Sequence, residues 1–148
     1  CMATLHANSA NQALDRIINF FPEERRDQLL MDVSLNLKAL ISQRLIPRQE
    51  GKGRTAAVEI MLNTPLMADL IFKGQVGELK ELMKRSRELG MQTFDQAIFD
   101  LYEGQVITYE DALRNADSVN DLRLQIKLNS QRARVTDLSA GTEHLTIV

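Results

Sequence analysis

The feature that most constrains this chain is a series of helix starts and stops that begins at Thr64. Thr64-Pro65 reads as an N-cap followed by proline at the first helical position. Thr93 with Gln96, Thr108 with Asp111 and Ser118 with Asp121 repeat the start signal, a hydroxyl acceptor followed three residues later by a polar partner. Gly74, Gly90 and Gly104 stand where three of these helices would stop. Between the signals, apolar residues recur at helical spacing. They are Leu79, Leu82, Met83 and Leu89, then Phe94, Ala97, Ile98, Leu101 and Tyr102, then Tyr109, Ala112, Leu113 and Ala116, and last Leu122 and Ile126. Residues 64–130 are therefore predicted as four or five short helices, packed through Leu79, Met83, Phe94, Ile98, Leu101 and Leu113. The segment after Gly74 is predicted as one helix running from about Val76 to Leu89. The period is lost after Gln131, so residues 131–148 are expected to form a loosely packed or disordered tail.

Residues 1–63 follow a different pattern. Residues 1–5 are apolar or β-compatible throughout, as in a strand buried on both faces. Ser9 and Gln12 form a capping-box pattern ahead of Ala10, Leu14, Ile17, Ile18 and Phe21. Pro22 ends that helix and opens the next, where Leu30, Val33, Leu37, Leu40 and Ile41 lie on one helical stripe. The period changes after Gln43. Leu45 and Ile46 precede Pro47, Gln49-Glu50-Gly51-Lys52-Gly53 is a turn, and Ala56, Val58, Ile60 and Leu62 alternate with Ala57, Glu59 and Met61, so a β-hairpin is predicted. One buried strand needs neighbours that these residues do not supply, and the unit reads as part of a larger sheet.

Several classes of function are disfavoured by what the chain lacks. A net charge of −2 gives no general attraction to nucleic acid or to acidic membrane, and the absence of Trp argues against a base-stacking platform. No apolar run approaches the ~20 residues that a membrane span needs, so no insertion into a membrane is expected. Cys1 is the single cysteine, and His6 and His144 lie far apart, so no metal site is predicted. Lys52 follows Gly51, but Gly53 takes the place of the Ser or Thr of a phosphate loop, which leaves a hairpin turn as the better reading. Leu29-Leu30-Met31-Asp32 imitates a magnesium-holding strand end, but its neighbours keep the helical period and Asp32 reads as a helix-surface acid. Lys80, Lys84, Arg85 and Arg87, interleaved with Glu78, Glu81 and Glu88, read as a solvated face. Lys127, Arg132 and Arg134 form a basic stretch that could meet an acidic partner. Met31, Met61, Met67, Met83 and Met91 read as core.

His6 directly follows the predicted strand. Ligands gather at the carboxyl ends of strands in parallel α/β sheets, and an imidazole there can hydrogen-bond a phosphate oxygen or a nearby water. On chemistry alone, a lone histidine is more often structural.

Thr4-Leu5-His6-Ala7-Asn8-Ser9-Ala10 resembles the histidine box of the secretion ATPase superfamily. The run from Asp15 to Glu24 then resembles the stretch after that box in type IV pilus retraction ATPases of the PilT and PilU kind. Ile41-Ser42-Gln43, Glu59-Ile60-Met61, Thr64-Pro65 and Gly90-Met91-Gln92-Thr93 fall in that family's order. The resemblance covers about residues 1–117 and is nearer to the PilU type. Ala68 and Phe72 stand where the PilT motif has arginines, and Lys73 where it has glutamate, so the role of that motif is not carried over.

The resemblance implies a fold that is α/β and then all-α. Residues 1–63 would be the C-terminal portion of a RecA-like ATPase core and residues 64–130 a small helical domain. It implies a parent that is a cytoplasmic homo-hexamer, peripheral to the inner membrane at the pilus base. That parent would use ATP and Mg, and would act with the pilus platform and a paralogous retraction ATPase. The phosphate loop, Walker B acid, catalytic glutamate and arginine fingers would all lie before Cys1, so this chain alone is expected to hold no tightly bound cofactor and to be inactive. His6, with Thr4 beside it, would be the nucleotide-sensing element. The competing reading is a free-standing helical interaction module that binds no nucleotide, and the incomplete sheet speaks against it.

Overall fold

Each of the hydroxyl caps predicted from the sequence starts a helix. The structure, a computed structural model, describes residues 1–133. Helix α1 (Ala10–Asn19) is capped by Ser9, α3 (Pro65–Phe72) by Thr64, α5 (Phe94–Glu103) by Thr93, α6 (Tyr109–Asn115) by Thr108 and α7 (Val119–Asn129) by Ser118. The cap at α5 is reciprocal. The Gln96 N–H donates to Thr93 Oγ1 at 3.3 Å, and the Thr93 N–H to Gln96 Oε1 at 3.1 Å. At α1 only half of the box forms, because Gln12 Oε1 accepts from the Asn8 N–H at 3.1 Å instead of from Ser9.

The strand predicted at residues 1–5 does not form. Cys1–His6 are exposed and irregular, with Met2 98% exposed, and the sheet among the described residues has two strands only. A strand cannot satisfy its backbone without a neighbour to pair with, and none lies beside this segment. Helix α2 (Arg26–Asn36), entered through a 3-10 turn at Glu23–Arg25, stops short of the predicted stripe. Leu40 and Ile41 belong instead to strand β1 (Ala39–Pro47), which pairs antiparallel with β2 (Arg54–Leu62) over nine residues. The helix ends there because Asn63, remote in sequence, donates its side-chain amide to the Ser34 carbonyl at 2.8 Å and to the Leu37 carbonyl at 2.9 Å. Those bonds satisfy carbonyls that a helix end leaves open.

The predicted helix from Val76 to Leu89 is likewise divided. A 3-10 turn at Val76–Glu78 leads into α4 (Leu79–Arg85), Ser86 breaks the helix at φ −108°, and a second 3-10 turn covers Arg87–Leu89. The Ser86 carbonyl then accepts from Leu89 and Met91. Gln131–Ala133, expected at the start of the tail, form a further helical turn. Residues 134–148, with Arg134, His144 and the rest of the expected tail, lie outside the described residues.

Two apolar clusters hold the chain together. One gathers Ala10, Leu14, Met61, Met67, Ile71, Leu79, Met83 and Met91 between α1, β2, α3 and α4. The other gathers Ile46, Ala57, Phe94, Ile98, Tyr102, Ile107, Ala112, Leu122 and Ile126 between the hairpin, α5, α6 and α7. Leu79 and Met83 thus pack in a different cluster from Phe94 and Ile98, and both clusters draw on the hairpin. Met31, assigned to the core from sequence, is exposed on α2. The inner hairpin face carries Ile46, Ala57, Glu59 and Met61, while Ile41 and Leu45 point outward and are exposed.

Two chain reversals test the backbone account. Gly90 adopts φ 92°, and an added Cβ would lie 3.6 Å from Leu62 Cδ1, an ordinary contact, so a side chain is disfavoured by conformation and not by space. After α5, Gly104 is not the left-handed residue. Gln105 is, at φ 58°, while a Cβ on Gly104 would meet the Asp100 carbonyl at 3.2 Å. Left-handed backbone costs an L-residue about 1–2 kcal/mol. Gly90→Ala is expected to lower unfolding free energy by about 1 kcal/mol and Gln105→Gly to leave it equal or raise it by up to about 1 kcal/mol, read from urea midpoints at constant slope.

Candidate functional site

His6 and Thr4 sit on the exposed segment just before α1. What fixes that segment is a set of charged groups gathered from distant parts of the chain. Glu59 lies on the inner face of β2, between Ala57 and Met61, and is 2% exposed. Its Oε1 accepts from the Ala10 N–H, the first amide of α1, at 2.7 Å. A carboxylate at a helix N-terminus meets unpaired N–H groups and the positive end of the helix dipole.

Arg44, opposite Ala57 on β1, extends the set. Its guanidinium donates to the Asn8 carbonyl at 3.3 Å and to the Asn115 carbonyl at 2.8 Å, pairs with Asp117 at 2.5 Å, and stacks 4.0 Å from the centre of the Phe94 ring. Lys80 on α4 reaches the other Asp117 oxygen at 2.8 Å. Asp95, in the first turn of α5, accepts from the Asp117 N–H at 2.8 Å and the Ser118 N–H at 3.2 Å, which fixes the link from α6 to α7. One connected network therefore runs from the turn after His6 to the start of α7.

Burial pushes the Glu59 carboxyl above its ordinary value, and the amides of Ala10 and Phe94 and the charge of Lys80 only partly offset it. Burial likewise pushes Asp95 up, against the amides of Asp117 and Ser118. Burial also acts on Asp117, but hydrogen bonds and charge from Lys80 and Arg44 outweigh it and hold that carboxyl below its usual range.

The sequence pattern flagged His6 and Thr4 but missed this network. Of the residues read as a solvated face, Lys84, Arg85 and Arg87 are exposed, with Arg87 paired to Asp100 and Arg85 opposite Glu81 at 4.0 Å, whereas Lys80 is half-buried and reaches Asp117. Arg132, read as part of a basic surface stretch, donates to the Tyr102 carbonyl at 2.7 Å, to the Ile107 carbonyl at 3.0 Å and to Gln49 Oε1 at 2.7 Å. One signal for Glu59 was present: an acid in strict alternation with Ala57 and Met61 occupies the same face as two core residues. Arg44 and Asp117 carry no local signal, because their partners lie 71 or more positions away or on another element.

No family model matches the chain. The type IV pilus ATPase PilU of Pseudomonas aeruginosa is 62% identical over 147 residues, 99% of this chain and 38% of that protein. The crystal structure of the pilus retraction motor PilT with bound ADP matches 81% of this chain at 31% identity with a TM-score of 0.72, and the match spans 33% of the PilT chain. The chain belongs to the type IV pilus retraction ATPase family. PilT of P. aeruginosa is 36% identical over 113 residues, 76% of this chain and 33% of that protein, so this member of the retraction ATPase family shares more with PilU than with PilT. The chain spans about a third of the length of the curated relatives it matches. Among the described residues, no helix is long and apolar enough to cross a membrane.

The buried carboxyl of Glu59 gives the site a pH signature. A carboxyl whose folded value is raised contributes stability that is fully present below its unfolded value, near 4.5, and lost as pH rises through the folded value. Glu59→Gln keeps an acceptor oxygen and removes the titration. The thermal midpoint of Glu59→Gln relative to the unsubstituted chain is expected to climb as pH rises from 4 toward 7, while the contributions of Asp95 and Asp117, common to both proteins, largely cancel. A difference that stays flat with pH would contradict the burial argument.

Proposed function

We propose that this chain is the C-terminal portion of a hexameric motor ATPase that couples ATP hydrolysis to type IV pilus retraction and twitching motility. The observation that carries the reading is identity of 62% to PilU across 99% of the chain. In this reading the parent works in the cytoplasm, peripheral to the inner membrane at the pilus base, against the pilus platform and beside a paralogous retraction ATPase. Residues 1–63 belong to its RecA-like core and residues 64–130 to its C-terminal helical domain.

ATP and Mg are the cofactors of the proposed parent. Within residues 1–133, no three His, Cys, Asp or Glu side chains gather as a metal site, and the glycine loop at Gly51–Gly53 closes the β-hairpin. These residues do not by themselves fit a metal-phosphate centre, and the part of the parent outside this chain would have to hold one. What this chain offers is His6, with Thr4 beside it. An exposed imidazole can donate a hydrogen bond to a phosphate oxygen or to a water next to it, and in doing so can report whether the terminal phosphate is present.

Two measurements test this reading. The chain alone is expected to show no ATP turnover above a mock purification, because phosphoryl transfer needs a phosphate cradle, a metal and a positioned nucleophile. In the full-length protein, His6→Ala is expected to slow hydrolysis roughly 10- to 100-fold, the equivalent of losing one charge-assisted hydrogen bond in the transition state. Its thermal midpoint should be unchanged, because the His6 side chain is exposed. A normal rate in an assembled His6→Ala protein would overturn the reading of His6 as the nucleotide-sensing group.

A further inference from the structure

We propose that Glu59 and Arg44 are positioning residues for the histidine turn, and that through Arg44 the placement of His6 is tied to Lys80, Asp95 and Asp117 in the helical part of the chain. The proposal rests on the reading of His6 as the nucleotide-sensing group of the parent.

The segment that carries His6 has little structure of its own. Up to Ser9 its local backbone bond is from the Ala7 N–H to the Leu5 carbonyl at 3.0 Å. The two tertiary hydrogen bonds nearest to His6 in sequence are Arg44 to the Asn8 carbonyl and the Ala10 N–H to Glu59. They act two and four residues after the histidine and hold the backbone at both sides of the Ser9 cap. Packing adds a third fixing, since Ala10 and Leu14 are buried against Met61 and Met67.

Glu59 is an expensive way to hold a helix start. Desolvating a carboxylate between Ala57 and Met61 costs more than one neutral acceptor would, and the chain already has a hydroxyl cap in Ser9. The carboxylate adds direction. It meets the first amide of α1 from the sheet side, so the start of the helix is registered against β2 and not merely capped. Arg44 then takes the same turn to the far side of the fold. One guanidinium touches Asn8 before α1, Asn115 at the end of α6 and Asp117 beyond it. Its planar fork fixes the relative orientation of those groups, which a single flexible ammonium would not do. A shift of the α6–α7 link moves Asp117, and with it the guanidinium that holds the Asn8 carbonyl. The histidine turn and the helical part cannot move independently while these bonds stand.

The test is a mutant cycle on steady-state ATP hydrolysis by the full-length protein, with kcat and KM separated and thermal midpoint measured beside them. Glu59→Ala should lower kcat by roughly as much as His6→Ala, on the order of 10-fold, because a displaced catalytic contact loses most of its effect. Glu59→Gln, which keeps the acceptor, should recover most of that loss. The double variant His6→Ala/Glu59→Ala should be within about 2-fold of His6→Ala alone, since a residue that acts through His6 has nothing left to act on. If Glu59→Ala fails to fold, Arg44→Gln, whose side chain is 25% exposed, replaces it in the same cycle with the same expectation. Losses that multiply in the double variant, or a Glu59→Gln protein as slow as Glu59→Ala, would overturn the positioning role. A slow His6→Ala with a normal Glu59→Ala would overturn the positioning role while leaving the reading of His6 intact. A normal His6→Ala would overturn both.

Discussion

The hydrogen bond from the Ala10 amide to the buried Glu59 carboxylate is the constraint on which the rest of the arrangement depends. It joins the first helix to the second strand across 49 positions of sequence, at 2.7 Å. The bond sits at the seam between the two apolar clusters, since Glu59 lies between Ala57 of one and Met61 of the other. Remove it and α1 keeps its hydroxyl cap and its apolar face but loses its registration against the hairpin. Helix-start amides and Lys80 offset part of the cost of burying this carboxyl, and the remainder holds it above its ordinary value.

Around that bond the hairpin acts as the frame. Its inner face gives Ile46 and Ala57 to the cluster with α5, α6 and α7, and Met61 to the cluster with α1, α3 and α4. Gln92 closes the free edge of β2 by exchanging backbone bonds with Ile60 at 2.8 and 2.9 Å and donating its side chain to the Val58 carbonyl. The hairpin is thus held on its inner face by helices and on one edge by the loop that leads into α5. A two-stranded sheet alone would be marginal. Here its stability comes from what it carries.

Local chemistry was legible in the sequence wherever it was decided locally. The caps at Ser9, Thr64, Thr93, Thr108 and Ser118 form where their residue types require, because each is settled within four residues. The hairpin turn and the stop at Gly90 were readable for the same reason. What escaped was settled at a distance. The end of α2 depends on Asn63, and the network at Arg44 on partners from the turn before α1, the end of α6 and the segment after it. Residues 1–5 have the composition of a strand but find no strand beside them. At His6, the residues themselves left a structural role open, and the functional reading came from family resemblance. The groups that hold the turn became visible only in three dimensions.

The most direct measurement of the central claim is native-state amide exchange at Ala10. If the Glu59 bond registers the histidine turn, the Ala10 amide is protected far more than the amides of residues 2–5, and that protection is lost in Glu59→Ala while the amides of Ile46 and Ala57 in the hairpin stay protected. Ala10 exchanging as fast as residues 2–5 in the unsubstituted protein, or keeping its protection in Glu59→Ala, would contradict the account.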